Sequence, residues 1–321
     1  MNLFVLFLFF IILFTLELIY FKIADKYNII DQPNHRSSHS KITIRGGGII
    51  FSIALLIGSF YTGWQYGYFL LGLLLISLIS FVDDVKTVSN KIRITIHLIA
   101  VAILFYQLNL YSLQYYIIIG GFIFAIGTIN AINFMDGING ITGGYGLVTL
   151  FTLFYVNKYI SPFTDETSLI LSITSLLVFN FFNFRNVAKC FAGDVGSVSL
   201  AFIIVFFLMQ LIIKTNNINY LLILLMYGLD AATTILFRII RKENVFEAHR
   251  SHFYQFLANE KKIPHLLIAT IYALLQVLIN LILIKFLPTS VVNMIMILAV
   301  ATLVFILIRL YFEGINRLFK I

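Results

Sequence analysis

A succession of long apolar runs constrains this chain more than any other feature. Eleven lie at roughly 3–21, 46–62, 66–82, 93–109, 114–131, 140–157, 167–184, 197–213, 218–237, 265–286 and 290–309. Each is close to the roughly 17–25 residues that a helix needs to cross a hydrocarbon core. The connections are too short to fold as soluble domains, the longest being 238–264. Pro33, Pro162, Pro264 and Pro288 all fall in connections, so no run is kinked by proline. The first run has no basic segment before it and no small-residue cleavage site after it, which reads as a span and not a signal peptide. The expected fold class is all-α: one domain over 1–321, a polytopic transmembrane bundle of about eleven helices, or ten if two neighbouring runs merge. Only 11% of residues are charged, against about a quarter in soluble domains.

The net charge of +8 would suggest nucleic acid in a soluble protein. Here it describes orientation, and no nucleic-acid partner is expected. With the 22–45 loop on the cytoplasmic side, only Lys158, Lys214 and Lys285 of the 22 basic residues fall outside. The positive-inside rule then places the N-terminus outside and the C-terminus in the cytoplasm. A lone cysteine, Cys190, excludes an internal disulfide and a cysteine metal cluster.

The polar chemistry gathers on the same face, in loops at about 22–45, 83–92, 132–139, 185–196 and 238–264. Asp83 and Asp84 close the third run, where they either stop a helix or need hydration, a proton or a cation. Asn130, Asn133 and Asp136 recur every third residue toward the end of the fifth, on one side of a helix turn. Gly137 and Gly140 beside them would let backbone approach a ligand, whereas Asn139–Gly140 also reads as a helix stop. Asp194 sits on a glycine turn as a ligand or a capping residue, with Ser197 able to cap the next helix. Hard oxygen donors on several loops suit Mg²⁺, and no zinc motif exists. His249, Arg250 and His252 offer donors for phosphate or form a solvated cationic loop. Lys41 and Arg45 precede Gly46–Gly48, glycines that would cradle phosphate or, more commonly, allow close helix packing. His97, His35, His39 and Cys190 read as packing or surface residues. Asp230 is expected to reach Arg238 or the basic loop, and Glu17 has no evident partner.

The order of these clusters is more specific than any one of them. Lys41 before a glycine pair, DD followed by K-x-R, N-A-x-N-x-x-D-G-x-N-G, F-x-G-D-x-G-S, D-A-A and AHRSHFYQ together resemble the polyprenyl-phosphate N-acetylhexosamine-1-phosphate transferases from about 31 to 256. The ending is most similar to the bacterial branch that starts O-antigen and capsule-type polysaccharides. The resemblance implies that undecaprenyl phosphate attacks a UDP-N-acetylhexosamine at the cytoplasmic face of a bacterial membrane, with Mg²⁺, or Mn²⁺ in its place, as cofactor. Its implied partners are those two substrates and the lipid bilayer, with a homodimer left open. It implies Asp83, Asp84 and Asp136 as catalytic candidates and Asp194, Asn133 and Asp84 around the metal. Lys41, Lys91, Arg93, Asn133, Asn139, His249, Arg250 and His252 are its substrate-binding positions. Asn139 stands where bacterial relatives usually carry Asp, and an amide there suits contact with uracil. The competing class is a cation- or proton-coupled transporter, which calls for ionisable residues near the midplane and interrupted spans.

Overall fold

A computed structural model of the chain describes residues 2–32, 41–245, 247, 249–286 and 290–320. Pro33, His35, Arg36, His39 and Pro288 lie outside the described residues. Each of the eleven apolar runs becomes one principal helix, in order α1 (Leu3–Lys26), α2 (Ile49–Thr62), α3 (Gly67–Val85), α4 (Asn90–Gln107), α5 (Tyr115–Met135), α6 (Ile141–Tyr159), α7 (Glu166–Asn183), α8 (Gly193–Thr215), α9 (Leu225–Ile240), α11 (His265–Lys285) and α12 (Val291–Glu313). Two short helices, α10 (Phe253–Asn259) and α13 (Ile315–Phe319), sit in the polar segments after α9 and α12. The run at 218–237 starts as a 3-10 turn, Ile218–Leu224, before α9. Among the described residues, eight spans are long and apolar enough to cross a membrane; α2, at 14 residues, is short. The neighbouring runs at 46–62 and 66–82 do not merge, because Gly63 and Trp64 turn the chain with positive φ.

α8 is the axis of the bundle. It is apolar all round, and from Val195 to Leu208 every residue is buried, as expected of a helix surrounded by others. α2, α3, α5 and α6 pack around it. α12 is the opposite case: equally apolar, it exposes Val292, Ile295, Met296, Val300 and Leu303, a surface suited to lipid.

An odd number of antiparallel passes brings the end of α3, the end of α5, the start of α8 and the loops after α1, α7 and α9 to one end. Hydrogen bonds join these distant segments. Gly47 N donates to Phe191 O at 2.9 Å, Gly48 N to Ala192 O at 3.1 Å and Tyr254 Oη to Phe134 O at 3.0 Å. The two-residue strands Ile30–Asp31 and Thr43–Ile44 pair antiparallel, and Ile44 bridges to Cys190. Gly46–Gly48 therefore serve close packing: a Cβ on Gly48 would lie 2.3 Å from Gly196 Cα. Cys190 is buried, its Sγ 3.7 Å from Glu17 Oε1, which supplies the partner that Glu17 lacked in the sequence.

Candidate active site

Paired aspartates end α3, and the two carboxylates turn in different directions. Asp83 Oδ1 accepts from Val88 N at 2.6 Å, and its Oδ2 from Arg93 Nη1 at 2.7 Å. Asp84 is buried. Its Oδ1 accepts from Asp194 N and its Oδ2 from Val195 N, both at 2.9 Å, and Arg45 Nε donates to Oδ1 at 2.6 Å. The first turn of α8 has unsatisfied amides like any helix start, and a carboxylate from α3 caps it. Ser197, expected as that cap, instead bonds back to Gly193 O at 3.0 Å inside the helix. Asp84 is thus fully engaged by protein donors, which moves it behind the metal position expected for it.

Asp194, on the first turn of α8, gathers the remaining groups. Arg93 Nη2 lies 3.2 Å from its Oδ2, and Arg45 Nη2 lies 3.6 Å from its Oδ1. Asn133 Nδ2 reaches Oδ1 at 3.3 Å and Ser197 Oγ at 2.9 Å. Arg93 joins Asp83 to Asp194, and Arg45 joins Asp84 to Asp194. Two guanidiniums and three carboxylates from four segments therefore share one cluster.

Of these groups Arg45, Asp194 and Ser197 form one wall of a cavity of about 280 Å³, with Arg93, Asp83 and Asp84 set behind them. Asp31, Asn133, Asp136, Asn139, Asn183, Gln255 and His265 complete its polar lining. Asp136 follows directly on α5. Burial pushes its carboxyl up to about 7 against the pull of the Thr142 hydroxyl, and the nearby Asp194 and Asp84 add to the rise. Asn139 is buried and donates Nδ2 to Arg185 O at 3.0 Å and Asn186 O at 3.2 Å. Asn183 accepts from Gly140 N and donates to Cys190 O, each at 2.8 Å. These two amides brace the loops around the cavity. The glycines nearby make room for protein instead of ligand: a Cβ on Gly137 would meet Tyr254 Oη at 2.2 Å, and one on Gly140 would meet Phe184 at 2.5 Å.

Lys41 and Lys91 are exposed and do not line this cavity. His249, Arg250 and His252 do not line it either. His252 is buried, with Nδ1 3.3 Å from Asp230 Oδ1. Burial drives His249 down to about 3, with His252 and Arg238 adding to the fall. It is neutral at physiological pH, so Arg250 carries the cationic charge at the head of this loop. Asp230 reaches the basic loop, as one of its two expected partners. Its carboxylate also accepts from Phe253 N at 2.9 Å, Tyr254 N at 3.1 Å and Tyr272 Oη at 2.6 Å. From α12, buried Arg309 donates to Ser251 O at 2.9 Å and to Thr234 Oγ1 at 2.8 Å. Charges embedded in α9 and α12 thereby seat the loop and α10, and Tyr254 ties α10 to the end of α5.

Gln255, Asn183, His265 and Asp31 were not singled out in the sequence. Asn183, His265 and Asp31 stand in no quoted motif and Gln255 only closes AHRSHFYQ, and the folding of α10, α11 and the first strand against α5 and α8 brings them to the cavity.

Residues 66–212 match the family model described as Glycosyl transferase family 4. A comparison with curated proteins finds none that matches. The matched stretch runs from the start of α3 into α8, and it holds Asp83, Asp84, Arg93, Asn133, Asp136, Asn139 and Asp194. The polar cluster at the end of the helical bundle is thus built largely from a stretch similar to glycosyl transferase family 4, a match that supports a polyprenyl-phosphate sugar-phosphate transferase in general.

Proposed function

We propose that this protein transfers N-acetylhexosamine 1-phosphate from a UDP-sugar to undecaprenyl phosphate at the cytoplasmic face of a bacterial membrane, the first step of a cell-surface polysaccharide. The supporting observation is the convergence of Arg45, Arg93, Asn133 and Asp194 beside a polar cavity at one end of an apolar bundle. An oxygen of the lipid phosphate attacks the β-phosphorus, the bond from that phosphorus to the UMP oxygen breaks, and UMP leaves. Such transfers are catalysed by positioning and charge neutralisation. Arg45 and Arg93 supply fork-shaped donors for the diphosphate, and Asp194 orients both. Asp136, at the cavity wall, accepts the proton of a monoprotonated lipid phosphate. Its proton affinity near neutrality suits that task.

Among the described residues, no group of three or more His, Cys, Asp or Glu could hold a metal. Mg²⁺ does not require one, since it is typically bound by one or two carboxylates together with water and substrate phosphates. Asp194 and the Oδ1 of Asn133 fit that donor set, and the bound ion would neutralise charge on the diphosphate. Asp83 and Asp84 hold Arg93, Arg45 and the start of α8, and they act by positioning. The transporter alternative needs embedded charges along a path, whereas Asp230 and Arg309 are bonded to the 249–254 segment.

The direct test incubates purified protein with undecaprenyl phosphate, Mg²⁺ and a panel of UDP-N-acetylhexosamines, including glucosamine and 6-deoxy amino sugars, and measures UMP. No UMP from any donor would refute the reading.

A second expected result concerns pH. Asp136 accepts a proton only as the carboxylate, so turnover falls about tenfold per unit as pH drops below about 7. Asp136→Asn should lower turnover and remove that acid limb; a limb that persists assigns it to another group.

Orientation has its own test. Native Cys190 is buried, so it should stay unlabelled by an impermeant maleimide from either side. The exposed Lys158 and Lys86 are better reporters. In intact spheroplasts Lys158→Cys should label and Lys86→Cys should not, and the reverse pattern would invert the topology.

A further inference from the structure

Arg309 is the one charged residue of α12 before Glu313 at its end, in a helix long and apolar enough to cross a membrane. A cation in such a segment is costly unless it is well bonded, and it commonly serves function. Of the 23 residues of α12, Met294, Phe305 and Arg309 alone are buried. Arg309 Nε donates to Glu313 Oε1 at 2.6 Å, and Nη1 donates to Thr233 Oγ1 at 3.0 Å and Thr234 Oγ1 at 2.8 Å. Those bonds to α9 would be enough to anchor α12. Nη2 goes further, to Ser251 O at 2.9 Å in the loop before α10. Thr234 donates in turn to Asp230 Oδ1 at 3.2 Å, and Asp230 holds the first two amides of α10. At the other end of α10, Arg317 pairs with both Glu313 and Glu260. The C-terminal helices therefore grip the 251–260 segment at both ends. Between the grips, Tyr254 reaches α5. Its Oη donates to Phe134 O at 3.0 Å and lies so close to Gly137 that a Cβ there would come within 2.2 Å. Phe134 and Gly137 bracket Asp136, and Asn133 beside them bonds Asp194 at 3.3 Å.

We infer that Arg309 is a positioning residue for the transfer: through Ser251, Thr234 and Tyr254 it sets the end of α5 that carries Asn133 and Asp136. This rests on the functional reading above. A displaced loop moves Tyr254, and with it the carbonyl of Phe134 and the two site residues on either side. Misplacing reacting groups by about 1 Å, even from a distance, costs on the order of 10²-fold in rate. Lysine at 309 keeps the charge but lacks the planar fork that holds two threonines, a carboxylate and a carbonyl together.

The test compares full-length wild type, Arg309→Lys, Tyr254→Phe and the double variant in nanodiscs, with thermal unfolding to count folded molecules. Arg309→Lys should lower kcat per folded molecule by about tenfold or more while KM for the nucleotide-sugar stays near wild type. Tyr254→Phe cuts the same chain at its other end, so the double variant should fall little below the worse single one; independent effects would multiply. Hydrogen exchange reads the coupling without turnover: the Arg309→Lys variant should exchange faster at 251–256 and also at 133–137. If Arg309→Lys does not fold, Thr234→Val interrupts the chain without touching a charge and carries the same comparison. A lower unfolding midpoint with unchanged kcat per folded molecule would show that Arg309 only anchors α12. That result, multiplied losses in the double variant, or unchanged exchange at 133–137 would overturn the inference. Wild type that releases no UMP from any donor would remove the functional reading instead, and the exchange at 133–137 would still decide whether Arg309 holds the end of α5.

Discussion

Asp194→Asn is expected to lower turnover by on the order of 10²–10³-fold, the cost typical of deleting a preorganised electrostatic group. Asp194 is the hub of the cluster: Arg93 at 3.2 Å, Arg45 at 3.6 Å and Asn133 at 3.3 Å all converge on its two oxygens. Asparagine keeps the size and loses the charge. The two guanidiniums would then lose their shared counter-charge and reorient, and the site would lose the one carboxylate suited to Mg²⁺. The side chain is about one-fifth exposed at 19%, so the helices should remain folded. UMP release measured across a Mg²⁺ titration, with thermal unfolding alongside, separates these effects. Near-normal turnover at ordinary Mg²⁺ would take Asp194 out of the site.

Gly48→Ala should produce the largest loss of stability among single-methyl changes, about 1–3 kcal/mol or more. The added carbon would lie 2.3 Å from Gly196 Cα and 3.0 Å from Ala192 O. Both obstacles are backbone, so neither can rotate away. Relief requires the 46–48 segment to separate from the start of α8, which breaks the bonds from Gly47 to Phe191 and from Gly48 to Ala192. Those bonds place Arg45 against Asp84 and Asp194, so activity should fall with stability. Gly67→Ala is the control, since nothing lies within 4 Å of its Cβ position. Equal unfolding midpoints for the two variants would show that the contact between the segments is not tight.

Much of the architecture is legible in the residues because apolar length is a local property. Runs such as 197–213 and 290–309 locate α8 and α12 regardless of their neighbours. What such runs do not reveal is which helix lies inside: α8 and α12 are similarly apolar, yet one is enclosed and the other faces outward. Burial depends on partners, and partners are a property of the whole bundle. The 3-10 start before α9 was hidden for the same reason, since Ile218–Leu224 is as apolar as a helix.

The candidate site divides along the same line. Asp83, Asn133, Asp136, Asp194 and Arg93 stand out because polar groups at the ends of apolar runs are conspicuous in one dimension. Their division of labour is not. Asp83 and Asp84 are adjacent and chemically identical, and only the approach of α8 makes Asp84 a buried cap and leaves Asp83 to Arg93. Sequence alone determined that this chain is a helical bundle with its polar residues gathered in alternate loops, because hydropathy and spacing are written along the chain. The tertiary structure alone decided which polar atoms are satisfied by protein and which remain for a ligand, because hydrogen bonding depends on distances between residues far apart in sequence.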